Sequence, residues 1–478
     1  MAARLGAKRH QVTVLEARDR VGGKLHTLRR DGFAFDVGPS LFTLPAVYRD
    51  LFLKTGPPLE NEVDLIETEP GFRYRFADGT HLDLPGSSVG RTCAAVAAQF
   101  GGDAGDSWRD LMGRAADIWR LTRTNVLGTA IDGPRQLMSL ARPRDLRTVA
   151  PWRSLHDMAA RTLTDPRLVT VVDRYATYSG SQPGKAPGAL ITIPFVEQTF
   201  GLWHIGGGLG TLATAMHERG QKAGVEFRLD TPVAQIDHRA GAVTGVITAS
   251  GEHLDADIVV SDIDARVLPT LLSHAAATPG RPDPSDRATD SYGGFAILAA
   301  VDGVTPDLNH HNVWFPADYD GEFEDLAAGR PVADPAIYVC RPDDPAMAPS
   351  GAEAWFILVN APRHAPGATD GHDWSDADAN ERYADRILAL LAARGTDIRS
   401  RIRWRVLQTP ADLGARDGSG DGAIYGKASH GAMSVLQRAR NVDPIAGLYR
   451  VGGTAHPGGG LPLVGMSAEI VADRIGRA

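Results

Sequence analysis

Gln11-Val12-Thr13-Val14-Leu15-Glu16 is followed at once by Ala17-Arg18-Asp19-Arg20-Val21-Gly22-Gly23-Lys24. Val12 to Leu15 is apolar or β-branched throughout, which reads as a strand buried on both faces of a parallel sheet. The acid that ends the run is its distinctive feature. In a dinucleotide-binding α/β unit, a carboxylate at the carboxyl end of such a strand accepts hydrogen bonds from a ribose hydroxyl. Gly22-Gly23 then lets backbone approach a flat or phosphorylated ligand where a Cβ would collide. An ordinary core strand with a surface glutamate and a Gly-Gly turn fits the same letters, so the rest of the chain has to decide.

Upstream, the pattern is incomplete. Such an acid is preceded, about 20 residues earlier, by a strand and a Gly-x-Gly-x-x-Gly loop that opens a helix. That distance runs past Met1. Met1–His10 instead has the composition of a crossover helix's last turns, with Gly6 near its end and basic residues after it.

Composition narrows the class. At 478 residues, 43% hydrophobic and 23% charged, the chain is an ordinary globular protein with room for two or three domains. A net charge of −8, with no Lys/Arg block and no interleaved aromatic stripe, excludes a nucleic-acid partner. Basic residues gather only at Arg135, Arg142, Arg144, Arg147 and Arg153, a spacing that suits either anionic lipid or a solvated face. Cys93 and Cys340 are far apart and outside any metal-type pair, so free thiols in a reducing compartment and no metal are expected. No apolar run approaches 18 residues and no signal peptide is visible, which reads as cytoplasmic.

Along the chain, Asp31-Gly32 predicts a tight hairpin between Leu25–Arg30 and Phe33–Asp36. Gly38-Pro39 marks a loop close to a neighbour, and Pro45–Lys54 has helical spacing. Phe72–Phe76, Asp78-Gly79 and His81–Leu84 form a hairpin of a second, antiparallel sheet, to which Gly294–Val301, Ala336–Cys340, Ala354–Val359 and Ile402–Leu407 return. Arg91 to Asp173 is helical in pattern, with Pro134, Pro143, Pro151 and Pro166 as breakers. Gly206–Gly210 opens a helix, as a flexible hinge and close packing point rather than a second nucleotide loop. Gly224–Leu229, Pro232–Ile236, Ala242–Ala249, His253–Asp257 and Ile258–Asp262 are short strands. The Gly/Asp-rich Asp412–Lys427 is expected to be a mobile loop.

The last stretch repeats the theme of the first. Gly447–Gly453 reads as a strand, Thr454-Ala455-His456-Pro457-Gly458-Gly459-Gly460-Leu461-Pro462 as a loop, and Leu463–Ile475 as a helix. Strand, glycine loop and helix N-terminus together present N–H groups and a positive dipole end to a ligand.

These motifs resemble those of the flavin-dependent carotenoid desaturases: phytoene desaturase and its relatives, the hydroxycarotenoid 3,4-desaturases among them. The resemblance rests on Val14–Glu16 with Arg20–Lys24, Phe35-Asp36-Val37-Gly38-Pro39, Tyr178-Ser179-Gly180-Ser181-Gln182-Pro183, Gly206–Gly210 and His456–Pro462. It implies an α/β fold: an FAD-binding Rossmann-like domain of glutathione-reductase type, with an inserted α+β substrate domain. The FAD domain would be assembled from residues 1–70, 201–265 and 411–478, and the substrate domain from 71–200 and 266–410. By the same resemblance Glu16 holds the adenosine ribose, and Gly22, Gly23 and Lys24 line the pyrophosphate and ribityl side. Gly38 and Pro39 pass the isoalloxazine, Val233 meets the adenine, and Gly452 and Gly453 follow the pyrophosphate. Gly460, Leu463 and Val464 bring the last helix start to the flavin's pyrimidine edge.

The implied activity is dehydrogenation of a long apolar polyene, with a hydride passing to the flavin. No nucleophile elbow, zinc spacing or triad is present, and no residue is assigned as catalytic; His204, His456 and Glu197 are left as structural. A flavin oxidase of amines or porphyrinogens is the rival enzyme, and a truncated remnant unable to bind FAD the rival of another class. Peripheral membrane contact is expected from the substrate. The missing strand and loop are expected upstream of Met1, leaving the 478-residue form poor in flavin and prone to aggregate through open sheet edges.

Overall fold

The structure, a computed structural model, describes residues 1–131, 133–140, 142–272 and 288–478. Residues 273–287 of the expected 266–410 segment thus lie outside the described residues. The opening run folds as a strand over Thr13–Leu15 and pairs in parallel with Glu226–Arg228. A second parallel pair joins Val259–Ser261 to Leu448–Arg450. Parallel neighbours need long crossover connections, which is why segments so distant in sequence meet here. Among the described residues no strand joins the two pairs. The helices Ala2–Ala7, Ala46–Thr55, Gly210–Lys222 and Leu461–Ile475 pack beside them. Tyr48, Leu51, Phe52, Leu212 and Ala215 from two of these helices share one apolar cluster.

The second sheet has seven strands in the order Ile402–Gln408, Gly293–Asp302, Ala352–Ala361, Ile337–Cys340, His311–Trp314, Phe72–Arg75, His81–Leu84. Its two long central strands alternate their apolar residues between opposite faces. Ala296, Leu298 and Phe356 face the helical layer, whereas Phe295, Ile297, Trp355 and Ile357 share a cluster with Ile387 and Leu391 of the Ala377–Ala393 helix. The helical layer is built on amphipathic spacing. Trp108, Leu111, Met112, Ala115 and Ile118 of Gly102–Thr122 recur three or four residues apart and are all buried.

One element was not expected, and two local expectations change. His311–Trp314 is a strand that pairs in parallel with Phe72–Arg75, an element too short for pattern reading to isolate. Asp412–Lys427 is not simply a mobile loop. Its first part belongs to a helix, Pro410–Asp417, started by a reciprocal Thr409/Asp412 capping box. Gly206–Gly210 is an anchor rather than a hinge. Gly207 N–H donates to Asp344 at 2.8 Å, and Leu209 N–H to both Asp36 oxygens at 2.9 and 3.0 Å. A Cβ on Gly208 would sit 2.7 Å from Thr27 Oγ1, so this contact requires glycine.

Candidate cofactor and substrate cavity

One cavity of about 1650 Å³ runs between the parallel strand pairs, the seven-stranded sheet and the helical layer. Small-molecule sites typically hold roughly 300–1,000 Å³, so this space admits two ligands at once. Its walls include Glu16, Gly22, Gly23, Lys24, Gly38, Pro39, Val233, Gly452, Gly453, Gly460, Leu463 and Val464. Residues picked from three distant stretches therefore come together.

Local chemistry at this end suits a polar, phosphorylated ligand. Glu16 Oε1 accepts the Arg18 N–H at 2.9 Å, and its second oxygen has no protein partner among the described residues. Lys24 Nζ pairs with Asp417 at 2.8 Å and donates to the Ile424 carbonyl at 3.2 Å, tying the first segment to the third. Gly23 (φ 54) and Gly460 (φ 99) adopt left-handed backbone, and a Cβ on either would meet nothing within 4 Å. They leave a bare backbone cradle open to a ligand. The Leu461–Ile475 helix starts at Gly460 with no side-chain cap, so its first N–H groups and dipole face the cavity.

The other end is apolar. Trp119, Leu127, Val149, Leu190 and Ile193 line it from the helical layer, and Gly294 and Leu358 from the sheet. Leu146 and Met433 also line it while remaining 40% and 49% exposed, which places an opening there. Arg135, Arg142, Arg144 and Arg147 are exposed in the same two short helices, Pro134–Leu140 and Pro143–Val149, or between them, while Arg153 is half-buried. Trp152 beside them is 67% exposed.

The residues left as structural do have protein partners. His204 Nε2 meets Asp344 at 2.8 Å. His456 Nε2 meets the carbonyls of Val126 and Thr129 at 2.9 and 3.0 Å, so it donates there. Both cysteines are free and buried. Cys340 nonetheless lies with His310 and His311 in a trio whose ligand-type atoms are within 4.8 Å of one another, a cluster that spacing could not reveal. Burial holds both imidazoles neutral and pushes the Cys340 thiol up.

Sequence reading gave no site role to the polar groups on the cavity wall between its two ends, Arg174, Tyr178, Glu197 and Tyr338, although it had noted Tyr178 in a motif and weighed Glu197. A charged residue flanked by tyrosines, Arg174-Tyr175 with Tyr178 one turn on, was the available clue. Glu197 accepts the Tyr175 hydroxyl at 2.6 Å. Burial, the largest influence, pushes its carboxyl from 4.5 to about 7, against the pull of that hydrogen bond and of Arg174. The folded protein thus binds this proton more tightly than the unfolded chain does. Its contribution to stability is complete below the unfolded value and is lost as pH rises through about 7. Over the full span this amounts to about 3 kcal/mol. Glu197→Gln should remove that dependence. Relative to the parent it should gain stability between about pH 5 and about pH 8, measured by urea midpoints; an equal difference at both would refute the burial argument.

The flavin-containing amine oxidoreductase family matches residues 1–355 of the chain. The chain belongs to this family. Two curated relatives extend the match over almost the whole flavoprotein. It is 31% identical to a 4,4'-diapolycopene oxygenase of Methylomonas sp, over 97% of this chain and 93% of that protein. It is also 31% identical to a 1-hydroxycarotenoid 3,4-desaturase of Flavobacterium sp. (strain P99-3), over 99% and 96%. Among solved structures, an oxidoreductase from Methanosarcina mazei shares its fold, with a TM-score of 0.64 at 16% identity, covering 99% and 98%. The flavoprotein is an FAD-dependent oxidoreductase of mixed α/β architecture, and the open glycine cradle, the free Glu16 oxygen and the uncapped helix start fit that cofactor. Among its described residues no helix is long and apolar enough to cross a membrane.

Proposed function

We propose that this flavoprotein dehydrogenates a carotenoid precursor, a long acyclic polyene drawn from a membrane. The observation that carries the proposal is the two-ended cavity, glycine-lined where a dinucleotide fits and apolar up to an opening at Leu146 and Met433. The two curated relatives named for carotenoid substrates support it. FAD, when bound, supplies the two-electron acceptor for a hydride lost from the chain, and the second hydrogen departs as a proton.

The protein's part is to hold and to exclude. Glu16 would hold the ribose, Val233 the adenine, and Gly22, Gly23, Lys24, Gly452 and Gly453 the pyrophosphate and ribityl side. Gly38 and Pro39 would flank the isoalloxazine, and the helix start at Gly460, Leu463 and Val464 would stabilise negative charge on it. The apolar walls keep water from the reacting carbons. An amine substrate is disfavoured, since the buried arginines Arg174 and Arg438 both stand on the cavity wall and a further positive charge would be repelled.

Glu16→Ala should weaken FAD binding by about 1–3 kcal/mol, the cost of losing a charged hydrogen-bond partner. Flavin absorbance retained on serial dilution would report it, and unchanged occupancy would take Glu16 out of the site. The membrane half of the proposal rests on the exposed Trp152 and Leu146 beside the arginines, and on the exposed Met433 on the cavity wall. Flotation should carry the protein with liposomes, more with anionic lipid than without; protein left wholly in the soluble fraction with both would overturn it. Turnover is tested by loading the liposomes with phytoene and following flavin bleaching without oxygen.

A further inference from the structure

A trio of soft ligand groups stands behind the cavity wall. His310, His311 and Cys340 each bring one ligand-type atom to within 4.8 Å of the others, and no other such group of His, Cys, Asp and Glu occurs among the described residues. The fold makes this meeting. His311 and Cys340 are directly opposite residues of two antiparallel strands, His311–Trp314 and Ile337–Cys340, so their side chains share one face. His310 precedes its strand, where alternation between faces no longer applies, and its ring lies 4.4 Å from that of His311.

His311 carries the telling atom. The residue is 1% exposed, and its Nε2 is buried with no hydrogen-bond partner. Its Nδ1 meets the Tyr338 hydroxyl at 2.9 Å, and the Phe72 ring packs 5.2 Å away. A buried ring nitrogen without a partner is costly. His217, His238 and His456 also keep an unpartnered nitrogen, but none of them stands in a cluster of ligand groups. An ion on Nε2 would satisfy it, with Nδ1–H then donating to the Tyr338 oxygen, the outer bond that ligating imidazoles make as a rule. Cys340, 5% exposed, is hydrogen-bonded to the same Tyr338 hydroxyl, which also reaches Ser40 Oγ at 2.9 Å. One tyrosine therefore orients two of the three groups. His310 is half-buried and gives an ion its way in. The neighbouring acids are already engaged: Asp36 with Thr27 and Leu209, Asp344 with His204, Glu353 with Arg341. The donor set is thus one sulfur and two nitrogens, with no carboxylate.

We propose that His310, His311 and Cys340 form a binding site for one soft, closed-shell metal ion, Cu(I) or Zn(II). A thiolate with two imidazoles selects such ions over Mg(II) and Ca(II), which take oxygen ligands. Ligand bonds of about 2.0–2.3 Å put two donors roughly 3.5 Å apart, so side-chain shifts of about 1 Å close the set. None of the three residues lines the cavity, so the site is independent of the substrate reading above. Its role is to hold. The ion clasps two strands of the seven-stranded sheet and, through Tyr338 and Ser40, steadies the wall beside Gly38 and Pro39.

The test uses untagged full-length protein, treated with EDTA, desalted and kept reduced and free of oxygen. It is titrated with Zn(II) against a chromophoric chelator and with Cu(I) against bicinchoninate, with Mg(II) and Ca(II) as controls. One soft ion per chain should bind, and neither control ion should. Cys340→Ser and His311→Gln should each abolish that binding. Tyr338→Phe should weaken it by roughly 10–100-fold, as loss of an outer-shell partner does. Cys93→Ser, which alters the other free thiol, should bind as the parent does. If Cys340→Ser does not fold, cobalt(II) reads the site in the parent protein, where a sulfur-to-cobalt charge-transfer band requires a thiolate ligand and should persist in Cys93→Ser. A complex with either Cu(I) or Zn(II) that depends on Cys340 supports the site, the tighter of the two naming its ion. No complex with both would overturn it, as would full affinity retained in Cys340→Ser, equal affinity for Mg(II), or a cobalt complex without the sulfur band.

Discussion

Replacing Arg219 by methionine is expected to cost about 3–5 kcal/mol of folding stability, the range seen when one partner of a buried ion pair is removed. Arg219 is buried on the Gly210–Lys222 helix and serves three acceptors of the preceding segment. It donates to the Phe52 carbonyl at 3.1 Å, the Pro57 carbonyl at 3.0 Å and Glu62 Oε1 at 2.7 Å, and its guanidinium carbon lies 4.8 Å from the Phe52 ring. Methionine fills much of the space but offers no donor. Two carbonyls and a half-buried carboxylate would be left to find water at the end of the Ala46–Thr55 helix, where the chain turns at Gly56. Glu62→Gln should cost only about 1 kcal/mol, because the amide oxygen still accepts. Urea unfolding of both variants checks the ordering. Since Val47, Tyr48 and Leu51 of that helix line the cavity, Arg219→Met should also lower flavin occupancy. A loss below about 1 kcal/mol would mean that the network is dispensable.

Trp355→Ala should be comparably severe, at about 3–5 kcal/mol. Trp355 is fully buried in the centre of the Ala352–Ala361 strand, against the layer that carries Ile387 and Leu391. Its Nε1 donates to Glu353 at 2.9 Å, and Glu353 also accepts Thr305 Oγ1 at 2.6 Å. The truncation leaves a large void that a strand hydrogen-bonded on both sides cannot collapse to fill. Trp355→Phe, which keeps most of the volume, should cost markedly less. Thermal melts of the two variants against the parent decide it; equal losses would mean that the indole hydrogen bond, and not packing, holds this layer. Because Trp355 faces away from the cavity, the residual folded fraction of Trp355→Ala should keep its flavin affinity.

Much of the architecture was legible because it is written in local patterns. Asp31-Gly32 between apolar runs predicted the Thr27–Arg30/Phe33–Asp36 hairpin, and the structure gives both turn residues positive φ, 51 and 81. Period-two alternation located Phe72–Arg75 and His81–Leu84, and glycines with a helix start located the C-terminal cradle. In each case the determining interactions lie within a few residues of one another. Where they do not, pattern failed. His311–Trp314 is a strand only because Ile337–Cys340 and Phe72–Arg75 flank it, whereas the Thr409/Asp412 capping box is a local signal that the glycine-rich stretch after it obscured.

By itself the sequence determined the strand that ends in Glu16, the glycine-rich approaches to a ligand and the lack of any long apolar run. Those properties belong to single segments. Tertiary structure alone decided that Gly22–Lys24, Val233 and Gly452–Val464 share one cavity, because parallel pairing joins strands separated by hundreds of residues. It alone decided the state of Arg174. Whether a guanidinium is solvated, paired or stranded among aromatic rings depends on what Phe72, Tyr178 and Tyr338 bring from three elements, and no stretch of the chain holds all three.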